Sequence, residues 1–156
     1  MAEDAFTNAL KSILDSFDKT QHDAITRASA NSYTADKLNP LGLQIDVNID
    51  SKKRFVGEAS NPLYPDIVVW KPDFPSSSKG KAVIIEKIET AKSIEINWQT
   101  WKRFADVGIV FVLIVPLSQV ENAKRKLDLL GIRAKTKLQY FEYNTTTKVY
   151  SFHNVT

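Results

Sequence analysis

The chain has no cysteine, which excludes disulfides and thiolate metal sites. Any divalent ion would be held by carboxylate oxygens or by the two histidines, His22 and His153. Those histidines lie far apart with no metal-ligand spacing, and the sequence gives neither a role. Long apolar runs are missing too. The longest, residues 109–115, is far short of the ~20 residues a membrane-spanning helix needs, so no membrane partner is expected. The N-terminal MAEDAFTNALKSIL is acidic and lacks the basic start and unbroken apolar stretch of a signal peptide. The expected location is therefore cytoplasmic.

What is present suffices for one folded unit. With 156 residues, 43% hydrophobic and 25% charged, the chain can bury a real core. Nothing in it marks an internal repeat or a second domain, so residues 1–156 read as a single domain. Charge is unevenly divided: residues 1–70 carry 7 Lys or Arg against 10 Asp or Glu, and residues 71–156 carry 14 against 8. The basic second part can attract phosphate, although charge runs are usually solvated faces.

In residues 5–17, Phe6, Ala9, Leu10, Ile13, Leu14 and Phe17 recur at three- and four-residue intervals, which predicts a scaffold helix whose stripe lies on the core. Residues 18–40 are polar with no clear period. After the turn Asn39-Pro40-Leu41-Gly42, the apolar Leu43, Ile45, Val47 and Ile49 alternate with polar residues, as in a strand with one wet face. PDIVVW, Pro65–Trp70, and the β-branched run Ala82–Ile88 flank KPDFPSSSKGK, a stretch too rich in Pro, Ser and Gly to continue a strand. The two runs are expected to pair as an antiparallel hairpin that sets Asp66 across from about residue 88.

Ser93 is positioned to cap a helix through Ile94, Trp98, Trp101, Phe104 and Ala105 that leaves Lys102 and Arg103 outside and ends at Gly108. Both tryptophans fall on its apolar face and read as core rather than base-stacking platforms. Residues 109–115, apolar throughout, suit a central strand covered on both sides and stopped by Pro116. Ser118 and Glu121 read as a capping box for a helix that buries Val120, Ala123, Leu127 and Leu130, exposes Lys124, Arg125 and Lys126, and closes at Gly131. Residues 137–152 form a final hairpin turning at Asn144-Thr145-Thr146-Thr147. The order predicts an α/β domain with a central mixed sheet flanked by helices and a C-terminal β-hairpin.

Pro65-Asp66 at a strand start, an apolar-apolar-acid-x-x-acid strand over residues 84–89, a Trp-bearing helix and an apolar strand ending in Val115-Pro116 together resemble the PD-(D/E)xK nuclease superfamily. The likeness covers residues 43–130. It implies a restriction-endonuclease-like three-layer fold, DNA as partner, and one or two Mg²⁺ ions held between Asp66 and an acid of the next strand. The metal would activate a water that a lysine helps to orient, cleaving a phosphodiester bond. A small chain without a specificity domain also fits a homodimer presenting a site to each strand.

The second motif departs from the family's order. Two positions after Glu86, where (D/E)xK requires lysine, stands Ile88, and Lys87 points to the opposite strand face. Lys87-Ile88-Glu89-Thr90 is instead similar to a branch that reads acid-x-acid-Thr, with a lysine in the first position. Ile85, Lys87 and Glu89 share one face, and Ile84, Glu86 and Ile88 the other. The expected catalytic set is therefore Asp66, Lys87 and Glu89, with Asp66 and Glu89 as metal ligands and Glu86 as the alternative acid. Lys87 has three readings: it neutralises Asp66 without metal, orients the water, or occupies the ion's place. Glu58, Glu3 or Asp4 are candidates for a further ligand, and Lys102, Arg103, Lys124, Arg125 and Lys126 for contacts to a nucleic-acid backbone. Two functions stand: a Mg²⁺-dependent DNA endonuclease or its inactive relative, and a non-catalytic nucleic-acid-binding or protein-interaction module that keeps the fold.

Overall fold

A computed structural model describes the backbone of residues 2–74 and 77–155, with side chains from residue 4 onward in those ranges. Six strands form one mixed sheet in chain order: β1 (Gln44–Val47), β2 (Ile67–Pro72), β3 (Gly80–Ile88), β4 (Val110–Pro116), β5 (Thr136–Asn144) and β6 (Val149–Asn154). β1, β2 and β3 are antiparallel neighbours, β3, β4 and β5 run parallel, and β6 returns antiparallel on β5. Parallel neighbours need crossovers. These are α3 (Ala91–Asn97) with α4 (Trp101–Val107), and then α5 (Val120–Leu130).

Right-handed crossovers that step in one direction along a sheet put their helices on the same face. Accordingly Ile94, Trp101, Phe104, Ala123 and Leu127 share one core with Val68, Ile85, Phe111, Leu113 and Leu138. The other face is covered by the C-terminal half of α1 (Ala2–Ala30) and by α2 (Ala35–Leu38), where Ile25 and Leu38 pack with Ile67, Val69, Ile88, Val112, Ile114 and Phe141. Strand parity sorts the residues between the two cores. Because β4 is covered on both faces, residues 111–115 are all buried, which is why that strand is apolar at every position. The chain is thus an α/β domain with helices on both sides of a mixed sheet.

The first helix departs from expectation twice. It runs on to Ala30, through the segment that shows no apolar period, and its stripe does not lie on the core: Phe6 is 71% exposed and Phe17 67%, with Leu10, Ile13 and Leu14 also exposed. The second half lacks a period because much of what it buries is polar, namely Asp23, Thr26 and Ser29 beside Ile25.

Two caps also differ. Thr90, not Ser93, caps α3; Ser93 sits three residues in and returns the hydrogen bond, completing a capping box. At α5 a 3₁₀ turn over Leu117–Gln119 places Ser118 inside helical backbone, so the Ser118–Glu121 box does not form and the helix starts after Gln119 without a side-chain cap. Gly131 ends α5 with φ 70°, a left-handed conformation that suits glycine. Trp101 is fully buried, while Trp98 packs partly on the core with the Lys126 ammonium 5.3 Å from its ring centre.

Candidate functional site

The β2–β3 ladder pairs Ile67 with Glu86, so Asp66 stands across from Lys87, next to the position expected. The hairpin closes with Pro72 opposite Gly80; continued without a break, that register would set Asp66 across from Glu86, and the irregularity between Val69 and Trp70 brings it to Lys87. Asp66, Lys87 and Glu89 then come together. The Lys87 ammonium lies 3.4 Å from Asp66 Oδ2 and 3.9 Å from Glu89 Oε1. Asp66 Oδ2 also accepts the Ile88 N–H at 2.7 Å, and His22 Nε2 lies 3.0 Å from its Oδ1.

His22 extends the cluster onto α1. Its Nδ1 is 3.0 Å from Asp23 Oδ1, and Lys19 Nζ is 2.5 Å from Asp23 Oδ2. The result is a line of alternating charge, Lys19, Asp23, His22, Asp66, Lys87 and Glu89, running from a lysine side chain 69% exposed to a glutamate 0% exposed. Glu89 follows β3 directly, tied to the sheet by its N–H to Ile114 O at 2.9 Å. The Thr90 cap fixes where α3 starts, and α3 in turn brings donors to Glu89. Ser93 Oγ donates to Oε2 at 2.5 Å, Asn97 Nδ2 to Oε2 at 3.3 Å, and Trp101 Nε1 to Oε1 at 3.3 Å.

Glu86 does not join this set. It faces α1, where Ser29 Oγ donates to Oε1 at 2.6 Å and the Tyr33 hydroxyl donates to Oε2.

The electrostatics follow from the neighbours. Burial alone would raise the Asp66 pKa, but the charges of Lys87 and His22 outweigh it and hold the carboxyl below its usual range. Burial would likewise lower Lys87 and His22, yet Asp66 with Glu89, and Asp66 with Asp23, lift both above their ordinary values. Glu86 goes the other way. Burial raises it beyond what Ser29 and Tyr33 recover, and the same burial, with Glu86 close by, raises Tyr33.

Mg²⁺ takes oxygen ligands at about 2.1 Å in near-octahedral geometry and keeps several waters. Here an ammonium stands between the two carboxylates, whose four oxygens already accept from His22, Ile88, Lys87, Ser93, Asn97 and Trp101. Asp66 and Glu89 are balanced by Lys87 and His22, so a divalent ion would add like charge beside two cations. As arranged, these residues do not fit Mg²⁺. Among the described residues, no group of three or more His, Asp or Glu is placed to hold a metal ion. Asp4 and Glu58 are exposed and make no contact with the cluster, and the Glu3 side chain lies outside the described residues.

The basic residues expected to touch a backbone are engaged elsewhere. Lys102 pairs with Asp106 at 2.9 Å, Lys124 with Glu121 at 3.2 Å and Lys126 with Glu95 at 3.4 Å. Arg103 donates to Asn61 O and Arg125 to Asn122 Oδ1. A different group is free. Lys53 and Lys79 line a cavity of about 480 Å³ walled by Phe55, Val56, Trp70 and Val107, in which the Arg54 guanidinium stacks 3.3 Å from the Trp70 ring centre and pairs with Asp46. Lys71 and Lys81 are cross-strand partners on β2 and β3, and neither lines this cavity. Among the described residues, none of Lys53, Lys71, Lys79 and Lys81 has an ion-pair partner.

Reading by motif missed Lys19, His22, Asp23, Ser29 and Tyr33, because no spacing links α1 to a strand 40 or more residues away. One signal was available: His22 and Ser29 are seven residues apart and so share a helix face. No described helix is long and apolar enough to cross a membrane. Comparison of the chain with protein-family models, with curated proteins and with solved structures gives no significant match.

Proposed function

We propose that this chain is a nuclease-like domain that binds a nucleic-acid backbone without cutting it, Lys87 having taken the place of the metal. The observation that carries this reading is the Lys87 ammonium between Asp66 and Glu89. An ammonium balances two carboxylates as an ion would. It has no open coordination position, so it neither holds an attacking water nor lowers its pKa as a metal does. The order of a helix, three antiparallel strands, a helical crossover and a parallel strand supports the restriction-endonuclease-like fold, with the resemblance in residues 43–130 as its other support. Lys53, Lys71, Lys79 and Lys81, without an ion-pair partner among the described residues, support a phosphate-bearing partner, since cations not already paired are the ones available to displace counterions.

Duplex DNA in a fluorescence anisotropy titration tests this. Binding should weaken steeply with salt, fall at least tenfold in the Lys79→Glu, Lys81→Glu protein, and be accompanied by no cleavage product with Mg²⁺ or Mn²⁺. A second reading, Mg²⁺-dependent cleavage of DNA with Lys87 orienting the water, draws on the 3.9 Å from Lys87 to Glu89, too long for a hydrogen bond that would pin the ammonium. Metal-dependent cleavage that Asp66→Ala abolishes would establish it instead. Absence of both binding and cleavage would leave the protein-interaction module.

A further inference from the structure

We infer that the exposed apolar stripe of α1 docks against the same stripe of a second copy of this chain, the two helices antiparallel. This does not depend on the reading of the charge cluster.

The helix cannot bury this stripe on its own sheet. Asp15, His22 and Ser29, at seven-residue intervals, contact Lys92, Asp66 and Glu86 and therefore define the side of α1 that faces the body. At about 100° per residue, Ile13 and Phe17, each two positions from Asp15, lie around the far side. Turning the stripe inward would pull His22 from Asp66 and Ser29 from Glu86. Phe6, Leu10, Ile13, Leu14 and Phe17 are all exposed, and five large apolar side chains on one helix face are more than the scattered singles of an ordinary surface.

The stripe is complementary to itself. Phe6, Leu10, Ile13 and Phe17 are spaced by four, three and four residues, the spacing of a coiled-coil seam. That spacing reads the same in both directions, and so does the order of sizes. An antiparallel copy centred between Leu10 and Ile13 sets Phe6 of one chain beside Phe17 of the other, and Leu10 beside Ile13. A two-fold axis makes both halves of the contact equivalent.

Charge permits this pairing. Asp4, Lys11, Asp15, Asp18 and Lys19 all lie about a quarter turn or more from the centre of the stripe, whose flanks are Thr7, Ala9, Ser16 and Thr20. No like charges meet across the seam. The polar side carries three acids against two lysines, so it lacks the basic face with which amphipathic helices hold anionic lipid. Four phenylalanines, each worth about 150–250 Å² when fully buried, together with six aliphatic side chains, bring the contact to the order of 1,000 Å², the lower bound for a specific interface.

Sedimentation equilibrium on the whole chain tests the proposal, with circular dichroism and thermal melting as controls for folding. The wild type should show a reversible monomer–dimer equilibrium at micromolar concentration. Leu10→Lys and Ile13→Glu should each be monomeric with unchanged melting, because both positions are exposed in the single chain. An equimolar mixture of the two variants should regain dimer, since antiparallel packing sets the introduced lysine of one chain against the introduced glutamate of the other, whereas a parallel pair would leave each charge against an apolar residue. A wild type monomeric at high micromolar concentration, variants that stay dimeric, or a mixture that stays monomeric would overturn it. So would a monomeric wild type that sediments with phosphatidylserine-containing vesicles.

Discussion

Two buried carboxylates of the β2–β3 pair, Glu86 and Asp66, are treated in opposite ways. Toward α1, Glu86 meets two hydroxyl donors and no cation within hydrogen-bond reach, and burial raises its pKa. At the start of β2, Asp66 meets Lys87 of β3 and His22 of α1, and their charge lowers its pKa although it too is buried. Burial therefore does not decide ionisation here. The neighbours do, and a one-residue step along β3, from Glu86 to Lys87, separates the two sets. Hydroxyls share hydrogen bonds with either form of a carboxyl, whereas an ammonium beside Asp66 favours its charged form.

The largest effect should come from removing that ammonium. Lys87→Met leaves Asp66 and Glu89 facing each other with only His22 as counter-charge. Breaking a buried pair from one side costs about 3–5 kcal/mol, and the 16% exposure of the Lys87 side chain puts the expectation near the lower figure. Urea unfolding measures it. Lys87→Glu sharpens the test, because it sets three carboxylates together in the acid-x-acid order. It should be less stable still in chelator and recover several degrees of melting temperature with Mn²⁺, while the wild type shows no such gain. If Mn²⁺ stabilises both proteins equally, the ammonium is not standing in for an ion.

A smaller effect is expected where the charged face is held from a distance. Ser93→Ala deletes the shortest donor to the fully buried Glu89, leaving Oε2 only Asn97 at 3.3 Å, and also removes the acceptor of the Thr90 N–H, so a loss of about 1–3 kcal/mol is expected. Thr90→Ala removes only the cap that positions Ser93, worth about 1 kcal/mol. Chemical denaturation of both variants checks the order. A Thr90→Ala loss as large as that of Ser93→Ala would mean that the cap, rather than the hydrogen bond to Glu89, carries the support.

The comparison also explains what could be read from the sequence. Strands were legible where alternation or a continuous apolar run met the demands of a sheet, and the separation of Glu86 from Lys87 and Glu89 followed from the period of two alone. The residue across from Asp66 was legible to within a position, about 88 against Lys87, although the irregular pairing at Val69 and Trp70 leaves no trace in composition. The first helix did mislead. Amphipathic spacing says that a face will be covered but not by what, so Phe6 to Phe17 read as core. The half of α1 that does pack inward buries Asp23 and Thr26, which bond within the helix, and Ser29, whose partner Glu86 lies on β3. His22 likewise has its partner, Asp66, on another element, and only its sharing a helix face with Ser29 hinted at a role. Lys102, Arg103 and Arg125 lie on exposed faces as expected, whereas the Lys124 and Lys126 side chains are only 21% and 14% exposed, and local acids, Asp106, Glu121 and Glu95, engage the three lysines.

The smallest effect, and the one that separates the two carboxylates most directly, is in the pH dependence of Glu86→Gln. A carboxyl whose folded pKa is raised holds a proton that the unfolded chain has released. Its contribution to stability is full below the unfolded value, about 4.3, and is lost as pH rises through the folded value. Asp66, with its folded pKa lowered, contributes above its unfolded value of about 3.9 and loses that contribution as pH falls through the folded one. His22, raised above its ordinary value, adds a loss of its own as pH climbs past about 6.5. Taking the difference between Glu86→Gln and wild type cancels the contributions of Asp66 and His22, because both proteins carry them. Glutamine can still meet Ser29 and Tyr33, so the variant should lie within about 1 kcal/mol of wild type at the acid end. It should then gain steadily on wild type as pH rises above the ordinary glutamate value. Urea unfolding of both proteins across that range gives the slope directly. A flat difference would mean that Glu86 ionises in the fold as it does in the unfolded chain, and that the two carboxylates are not treated in opposite ways.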